Sequence, residues 1–197
     1  MQLYLYNIVS KTIALGMGER FAIWTQGCEK NCKGCIATDT HSKESGGFFI
    51  DIKELANQIL NTKNIQGVTI SGGEPFLQTK KIIKLIKLLK EKNSSLDFIV
   101  YSGYKYEELK QDNVNIQLLN LIDLLIDGDY QENLDNNEPL KGSSNQNVYA
   151  FTKQGEVLRY YMQNVSAREV DLFIQNNDLF IAGIPPKNLI KKLKESK

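Results

Sequence analysis

The architecture can be inferred from Gly67-Val68-Thr69-Ile70-Ser71-Gly72-Gly73, a short β-branched run that stops at paired glycines. A helix is predicted over Thr79–Lys92, because its leucines and isoleucines recur at helical spacing and form a wide apolar stripe. The lysines of that helix lie largely off the stripe, and we interpret them as its solvated face. A strand, a polar loop and a helix therefore follow one another, which is the repeating unit of a parallel sheet.

The same order recurs on both sides of this unit. Strands are predicted at Leu3–Val9, Phe21–Thr25, Phe98–Tyr101 and Leu124–Ile126, and helices at Ile52–Asn61, Glu107–Gln111 and Ile116–Leu121. The fold class is therefore α/β, with parallel strands and with helices packed outside the sheet. Active sites of such folds form at the carboxyl ends of the strands. The polar loops that follow Thr25, Ser71, Tyr101 and Ile126 should accordingly meet at one rim.

The pattern changes after the strand at Leu124–Ile126. Asp129–Asn147 is rich in Asn, Asp, Glu and Ser and is predicted to be a long loop. Strands are then predicted at Val148–Thr152, Val157–Met162, Val170–Ile174 and Leu179–Ala182, with turns at Gln154-Gly155 and Asn176-Asn177-Asp178 and a short basic helix after Pro185-Pro186. We therefore expect an α/β unit over residues 1–147 and a β-hairpin-rich C-terminal extension over residues 148–197, packed on the same domain.

Composition and charge exclude several classes of protein. The hydrophobic share is 42% and the charged share 24%, as in an ordinary globular protein, and the formal net charge of +1 gives no strong attraction to nucleic acid or anionic lipid. No apolar run approaches the ~18 residues that indicate a transmembrane helix. The N-terminus does not resemble a secretory signal. We expect a cytoplasmic protein that binds neither nucleic acid nor membrane.

All three cysteines of the chain lie within eight residues, in the pattern Cys28-x3-Cys32-x2-Cys35. An odd number of clustered cysteines argues against a disulfide framework. An iron–sulfur cubane normally takes four thiolates, so three would leave one iron open to a substrate. Gly27 and Gly34 would let the backbone wrap around such a cluster.

Zinc is the alternative metal for this motif. A structural zinc site needs four ligands, and His41, the only histidine, could complete a Cys3His set. His41 lies among polar residues, and we interpret it as an exposed loop residue. On the cysteines alone, an iron–sulfur cluster and a zinc ion both remain open.

The second motif is Ser71-Gly72-Gly73-Glu74-Pro75-Phe76, which follows a strand and precedes a helix. Paired glycines let the backbone approach a ligand closely, and Glu74 can pair with a cationic group. A single Gly-Gly-Glu-Pro segment is a weak signal, but this one lies some 36 residues downstream of the cysteine motif. With both motifs, the chain resembles the radical S-adenosylmethionine enzymes.

Within that superfamily, the chain resembles the activating proteins of anaerobic (class III) ribonucleotide reductase. The resemblance rests on Trp24–Cys28, Tyr101–Tyr104, Leu124–Tyr130 and Leu140–Gln146, which occur in the family's order. Gly34 also matches the family, whereas many other radical enzymes have an aromatic residue before the last cysteine. The tail from Asn147 to Lys197 extends beyond the usual end of that family.

The resemblance implies a partial (βα) barrel and a role for each motif. It implies that Cys28, Cys32 and Cys35 bind a [4Fe–4S] cluster, that Gly34, Cys35 and Ile36 contact S-adenosylmethionine near its nucleotide, and that Gly72, Gly73 and Glu74 hold its methionyl amino group. The enzyme would generate a glycyl radical on a partner, anaerobic ribonucleotide reductase. Because the chain has no further cysteines, the electron would come from an external low-potential donor.

Other polar residues of the rim have two interpretations. Asp127, Asp129 and Gly142–Gln146 are candidates to contact the partner's peptide, although a turn with solvated carboxylates would equally explain the two aspartates. Tyr101 and Tyr104 are interpreted as packing residues rather than radical relays. Two alternative functions remain, a radical enzyme that acts on a small molecule or another peptide, and a zinc-binding interaction module.

Overall fold

The computed structural model describes residues 1–175, 178–189 and 192, and its strands form a seven-stranded sheet and a separate two-stranded sheet. The strands are β1 (Gln2–Thr12), β2 (Arg20–Thr25), β3 (Phe48–Asp51), β4 (Gly67–Gly72), β5 (Asp97–Tyr101), β6 (Leu124–Asp127), β7 (Asn147–Ala150), β8 (Val170–Gln175) and β9 (Asp178–Gly183). The helices are α1 (Ile52–Asn61), α2 (Thr79–Lys92), α3 (Tyr106–Leu109), α4 (Asn113–Leu119) and α5 (Lys153–Asn164).

The large sheet has a parallel centre and antiparallel edges. Its strand order is β3-β1-β2-β4-β5-β6-β7. Strands β2, β4, β5 and β6 run parallel to one another, as the repeated strand–loop–helix order predicts. Strand β1 is antiparallel to β2 and β3, and β7 is antiparallel to β6. The chain is therefore a mixed α/β protein with a parallel-rich sheet.

The central strands are buried on both faces, and alternate side chains define two cores. Phe21 and Ile23 point to the face covered by α1, α2 and α4. Ala22 and Trp24 point to the opposite face, where the β8–β9 hairpin packs and the ring of Phe180 meets Trp24 edge-on at 4.8 Å. Because both faces are covered, the carboxyl ends of the strands remain as the open rim.

The predicted strand at Val157–Met162 is wrong, because these residues lie in helix α5. The Thr152 side chain accepts a hydrogen bond from the Gly155 backbone N–H and caps the helix, while Leu158 and Met162, four positions apart, are buried on one face. The predicted turn at Gln154-Gly155 is the first turn of this helix. A Cβ on Gly155 would overlap the carbonyl oxygen of Asp123, so this glycine permits close packing rather than a turn.

Smaller differences have similarly local causes. Strand β3 was not predicted; Phe48 and Phe49 are exposed, and Ile50 alone of its four residues is buried. Helix α4 begins three residues before its predicted start, because the Asp112 carboxylate caps it through the N–H groups of Val114 and Asn115. The predicted turn at 176–177 and most of the helix predicted after Pro186 lie outside the described residues. In the part of the chain that the structure describes, no helix has the length and apolar character needed to cross a membrane.

A buried ion pair joins the amino ends of three parallel strands, opposite the open rim. The Arg20 guanidinium at the start of β2 pairs with Asp97 at the start of β5, and both side chains are at most 1% exposed. It also donates to the Thr69 hydroxyl at 2.7 Å and to the Val68 carbonyl oxygen at 3.2 Å. These bonds satisfy the two buried charges, which would otherwise be strongly unfavourable.

Replacing Arg20 by methionine should therefore destabilise the protein strongly. The variant leaves the buried Asp97 carboxylate without its cation, and loss of one partner of a buried pair costs roughly 3–5 kcal/mol. Urea unfolding of the two proteins measures the difference. Arg159→Met is the control, because the Arg159–Glu156 pair is solvent-exposed and should contribute little. Equal stability of the two variants would contradict the prediction.

Candidate active site

A cavity opens at the carboxyl ends of β2, β4, β5 and β6, where the polar loops were predicted to meet. All three cysteines line it, together with Ile36, Gly72, Gly73 and Glu74. Gly34 is not part of the lining. Its φ is +76°, and a Cβ there would lie 2.8 Å from the carboxyl carbon of Glu132, so its backbone conformation and packing explain the glycine.

The cysteine loop is supported by the segment that follows it. The Cys28 backbone N–H donates to the His41 carbonyl oxygen at 3.0 Å, and the Gly27 N–H donates to that of Thr40 at 2.8 Å. The Gln26 side-chain amide donates to the carbonyl oxygens of Asp39 and Ser42, at 3.1 and 2.8 Å. These bonds fix the start of the cysteine loop, where the chain leaves β2 and reaches the first cysteine.

Burial disfavours the thiolate form of two of the three cysteines. It raises the pKa of Cys32 and of Cys35 above the usual thiol range. All three cysteines are free and half-buried. Binding of iron would therefore displace protons from these thiols, as thiolate coordination requires.

The two glycines of the second motif bring the loops after β2 and β4 together. Gly72 has φ of +101°, and a Cβ there would lie 2.5 Å from the Thr25 nitrogen, while a Cβ on Gly73 would overlap the Gly27 carbonyl oxygen. Without these Cβ atoms the two loops can approach closely. The Gly73 N–H donates to the Thr25 carbonyl oxygen and the Glu74 N–H donates to the Gly27 carbonyl oxygen, both at 2.8 Å. The glycines thus place the glutamate beside the cysteine loop, in addition to lining the cavity.

Glu74 is a buried carboxylate on the cavity wall. Its Oε1 accepts from the Phe76 N–H and the Ser102 hydroxyl, both at 3.0 Å, and its Oε2 accepts from the Gly103 N–H at 2.7 Å. Burial raises the pKa of Glu74 to about 7, and these bonds and the nearby Lys30 charge oppose the rise. Because Oε2 accepts only one of these bonds, it retains acceptor capacity for a ligand.

The other predicted rim residues divide into two groups. Asp127 is buried and accepts from the Tyr106 and Asn147 backbone N–H groups, so its carboxylate holds the fold and does not line the cavity. Gly142 and Gln146 line the cavity, whereas Asp129 faces a neighbouring surface recess beside Cys32.

Tyr101 and Tyr104 both make polar contacts through their hydroxyl groups. The Tyr101 hydroxyl donates to the Leu140 carbonyl oxygen at 2.9 Å, which agrees with a packing role. The Tyr104 hydroxyl donates to Glu29 at 3.3 Å, and the Lys30 ammonium lies 4.4 Å from its ring centroid. These contacts tie the tyrosines to the loops around the cavity.

Several residues that the sequence did not single out also line the cavity, among them Lys30, Tyr130, Asp135 and Arg168. His41, considered above only as a fourth zinc ligand, lines it as well. The position of Lys30 between two cysteines could have identified it as a residue that lines the cavity. His41, interpreted as an exposed loop residue, is half-buried instead.

Comparison with known proteins identifies the family. A model of a 4Fe-4S single cluster domain matches residues 14–149. The anaerobic ribonucleoside-triphosphate reductase-activating protein of Enterobacteria phage T4 is 33% identical over 141 residues, which are 70% of this chain and 87% of that protein. The protein of the same name from Escherichia coli (strain K12) is 32% identical over 145 residues, 70% of this chain and 92% of that protein.

The chain belongs to the family of anaerobic ribonucleoside-triphosphate reductase-activating proteins. Membership of this family confirms the prediction of a radical S-adenosylmethionine enzyme with a [4Fe–4S] cluster. Among solved structures, QueE from Escherichia coli shows a TM-score of 0.45 and 18% identity, over 52% of this chain and 53% of that one.

The residues that line the cavity fit the cofactors of the reductase-activating protein family. Three thiols converge on one cavity, and thiolates are the donors that iron–sulfur clusters take. Within the described residues, no three Cys, His, Asp or Glu side chains lie close enough together to bind a single metal ion. A cubane binds each thiolate to a different iron, so its ligands need not meet at one point.

Proposed function

We propose that this chain generates a glycyl radical on anaerobic ribonucleoside-triphosphate reductase. The observation that carries the proposal is the single cavity that brings the three cysteines and Glu74 together. The names of the relatives, which are activating proteins of that reductase, supply the partner.

Each motif has a proposed role in this reaction. Cys28, Cys32 and Cys35 would hold the cluster, leaving one iron without a protein thiolate. Glu74 would accept hydrogen bonds from the methionyl amino group of S-adenosylmethionine, and Ile36 would contact the nucleotide part. When bound, the cluster supplies one electron for cleavage of S-adenosylmethionine to methionine and a 5′-deoxyadenosyl radical, which takes a hydrogen atom from a glycine of the partner.

The cavity walls would protect this chemistry from water. Leu15, Trp24 and Tyr101 supply apolar surface to the lining, and the Tyr101 hydroxyl is engaged with Leu140. Burial raises the pKa of Tyr101 above its usual value, so the phenol keeps its proton. An apolar, uncharged stretch of wall suits a reactive radical, which would otherwise be lost to side reactions.

We propose that the parallel strands with their rim cavity are the partial (βα) barrel of this enzyme class, and that residues 148–197 extend it. The pairing of β7 with β6 supports attachment of that extension to the same domain. We further propose a cytoplasmic protein that receives its electron from an external low-potential donor.

Anaerobic reconstitution with iron and sulfide tests the function. We expect a [4Fe–4S]⁺ EPR signal in the reduced protein, a change of that signal on addition of S-adenosylmethionine, and formation of 5′-deoxyadenosine. Addition of anaerobic ribonucleoside-triphosphate reductase from the source organism should then give a glycyl-radical EPR signal. Cleavage of the cofactor without a glycyl radical would favour a small molecule or another peptide as substrate.

A further inference from the structure

One wall of the cavity comes from parts of the chain far from the two motifs. Gly128, Tyr130 and Gly142 line it from the long loop after β6, and Arg168 and Ile184 line it from the C-terminal segment. The family model ends at residue 149, so the C-terminal part of this wall lies beyond the matched region. The cysteines and Glu74 line the cavity from the loops after β2 and β4.

Arg168 connects the two parts of this wall. Its side chain is 1% exposed, and that of its partner Asp135 is 3% exposed. The guanidinium donates to Asp135 Oδ1 at 2.7 Å and to Oδ2 at 3.4 Å. Burial by itself would raise the pKa of Asp135, but hydrogen bonds from Asn137 and Arg168 hold it below its usual value, so the carboxylate stays ionised at neutral pH.

The same guanidinium also binds backbone carbonyl oxygens on both sides of the wall. The acceptors are Glu138 at 3.0 Å, Lys141 at 2.8 Å, Gly142 at 3.1 Å and Pro185 at 3.2 Å. These bonds and the two to Asp135 engage all three guanidinium nitrogens, whose five N–H donors are thereby used. Arg168 therefore has no donor left for a substrate and acts by holding other groups in place.

The long loop after β6 is also held together by hydrogen bonds of its own, independently of Arg168. The Gln146 side chain accepts from the Gly142 N–H at 2.7 Å and donates to the Gly128 carbonyl oxygen at 2.8 Å. The loop therefore has a defined shape, and the bonds of Arg168 set its position relative to the C-terminal segment. A change at residue 168 should therefore shift the position of the wall and leave the internal hydrogen bonds of the loop intact.

We propose that Arg168 is a positioning residue that fixes this wall for the glycine-bearing segment of the partner. The inference rests on the proposed function. The cofactor's methionyl group is assigned to Glu74 and the cysteines, on the β2 and β4 side, so the wall beyond β6 remains for the polypeptide. The residues after position 149 thereby contribute to partner recognition.

Arg168→Lys tests the proposal in the reconstituted full-length protein. Lysine keeps the charge beside Asp135 but lacks the planar fork that reaches the carbonyl oxygens of Gly142 and Pro185. Loss of these bonds should raise the KM for the reductase about tenfold or more. The dissociation constant for S-adenosylmethionine should change far less than this KM, because the methionyl group is assigned to the β2 and β4 side of the cavity.

Hydrogen exchange gives a readout that is independent of activity. Amides of residues 129–146 should exchange faster in Arg168→Lys, and those of β2 and β4 should not. Arg20→Lys is the matched control, because Arg20 also pairs with a buried aspartate but lies at the opposite end of the sheet. It should lower stability and leave the KM for the reductase unchanged. Asp135→Asn, which weakens the same contacts from the loop side, should reproduce the KM effect if Arg168→Lys folds poorly.

Three results would overturn the proposal. They are an unchanged KM for the reductase despite faster exchange in the loop, a loss of affinity confined to S-adenosylmethionine, and an equal rise in KM in Arg20→Lys. A wild-type protein that cleaves the cofactor but never forms a glycyl radical would overturn the proposed function and, with it, the assignment of the wall to this partner. That failure is already visible in the wild type, whereas the first three appear only in the variants.

Discussion

Replacing Cys28, Cys32 or Cys35 by alanine should abolish the iron–sulfur cluster and the reaction that depends on it. The chain holds only these three cysteines, so no other thiol can replace a lost ligand. Loss of groups that merely support metal ligands typically costs 10–100-fold in activity, so loss of a ligand itself should exceed about 100-fold. Iron and sulfide analysis, the EPR signal of the reduced protein and 5′-deoxyadenosine formation measure the effect.

His41→Ala is the control that separates iron from zinc. The backbone carbonyl of His41 supports Cys28, and alanine retains that carbonyl, so the cluster should form with a normal iron content. A Cys3His zinc site would instead lose a ligand and bind its metal more weakly. Zinc bound in place of iron, together with a loss of metal in His41→Ala, would contradict the iron–sulfur prediction and favour the zinc-binding module.

The parts of the site that sequence predicts correctly are those with short-range signals. The three cysteines lie within eight consecutive positions, and Gly72, Gly73 and Glu74 directly follow a β-branched strand. A parallel sheet places the ends of neighbouring strands at one rim, so two local motifs are enough to predict one cavity. The shared lining confirms that the motifs meet.

Helix α5 shows where local preference fails. Val157, Tyr160 and Tyr161 favour a strand, and Gly155 near the predicted start suggested a turn. The helix forms because Leu158 and Met162 pack together against the sheet and because Gly155 can approach Asp123. The packing surface is remote in sequence, so strand propensity gave the wrong answer here.

Arg168 shows a second limit. Its acceptor Asp135 lies 33 residues earlier in the chain, and three of the four carbonyl oxygens that it binds belong to a loop without regular periodicity. A lone arginine in a polar segment is most often a surface residue. Neither spacing nor composition distinguishes this buried arginine from the exposed Arg159, so only the folded structure could reveal its role.

Glu74→Gln should weaken S-adenosylmethionine binding by roughly 10–100-fold, because a charged hydrogen bond is replaced by a neutral one. The pKa of Glu74 is about 7 in the cofactor-free protein. The ionised carboxylate is the better acceptor for the methionyl amino group. As the pH falls from 8 to 6, the ionised fraction falls from about nine-tenths to about one-tenth, so the affinity of the wild type should fall by up to about tenfold.

Equilibrium binding to the reconstituted protein at pH 6, 7 and 8 tests this linkage. Glu74→Gln cannot titrate at this position, so its affinity should be nearly independent of pH over the same range. A wild type whose affinity does not depend on pH would contradict the prediction. An equal pH dependence in Glu74→Gln would assign that dependence to the cofactor's own groups rather than to Glu74.

Ser102→Ala provides the matched control, because it preserves the Glu74 charge and removes one hydrogen bond to it. The Ser102 hydroxyl donates to Oε1 at 3.0 Å and helps to hold the pKa of Glu74 down against burial. Without that bond the pKa should rise, and the pH at which binding is half-maximal should move upward. Well above that pH, the affinity of Ser102→Ala should approach that of the wild type, whereas Glu74→Gln should stay weak at every pH. The charge of Glu74, rather than the packing around it, would then account for retention of the methionyl amino group.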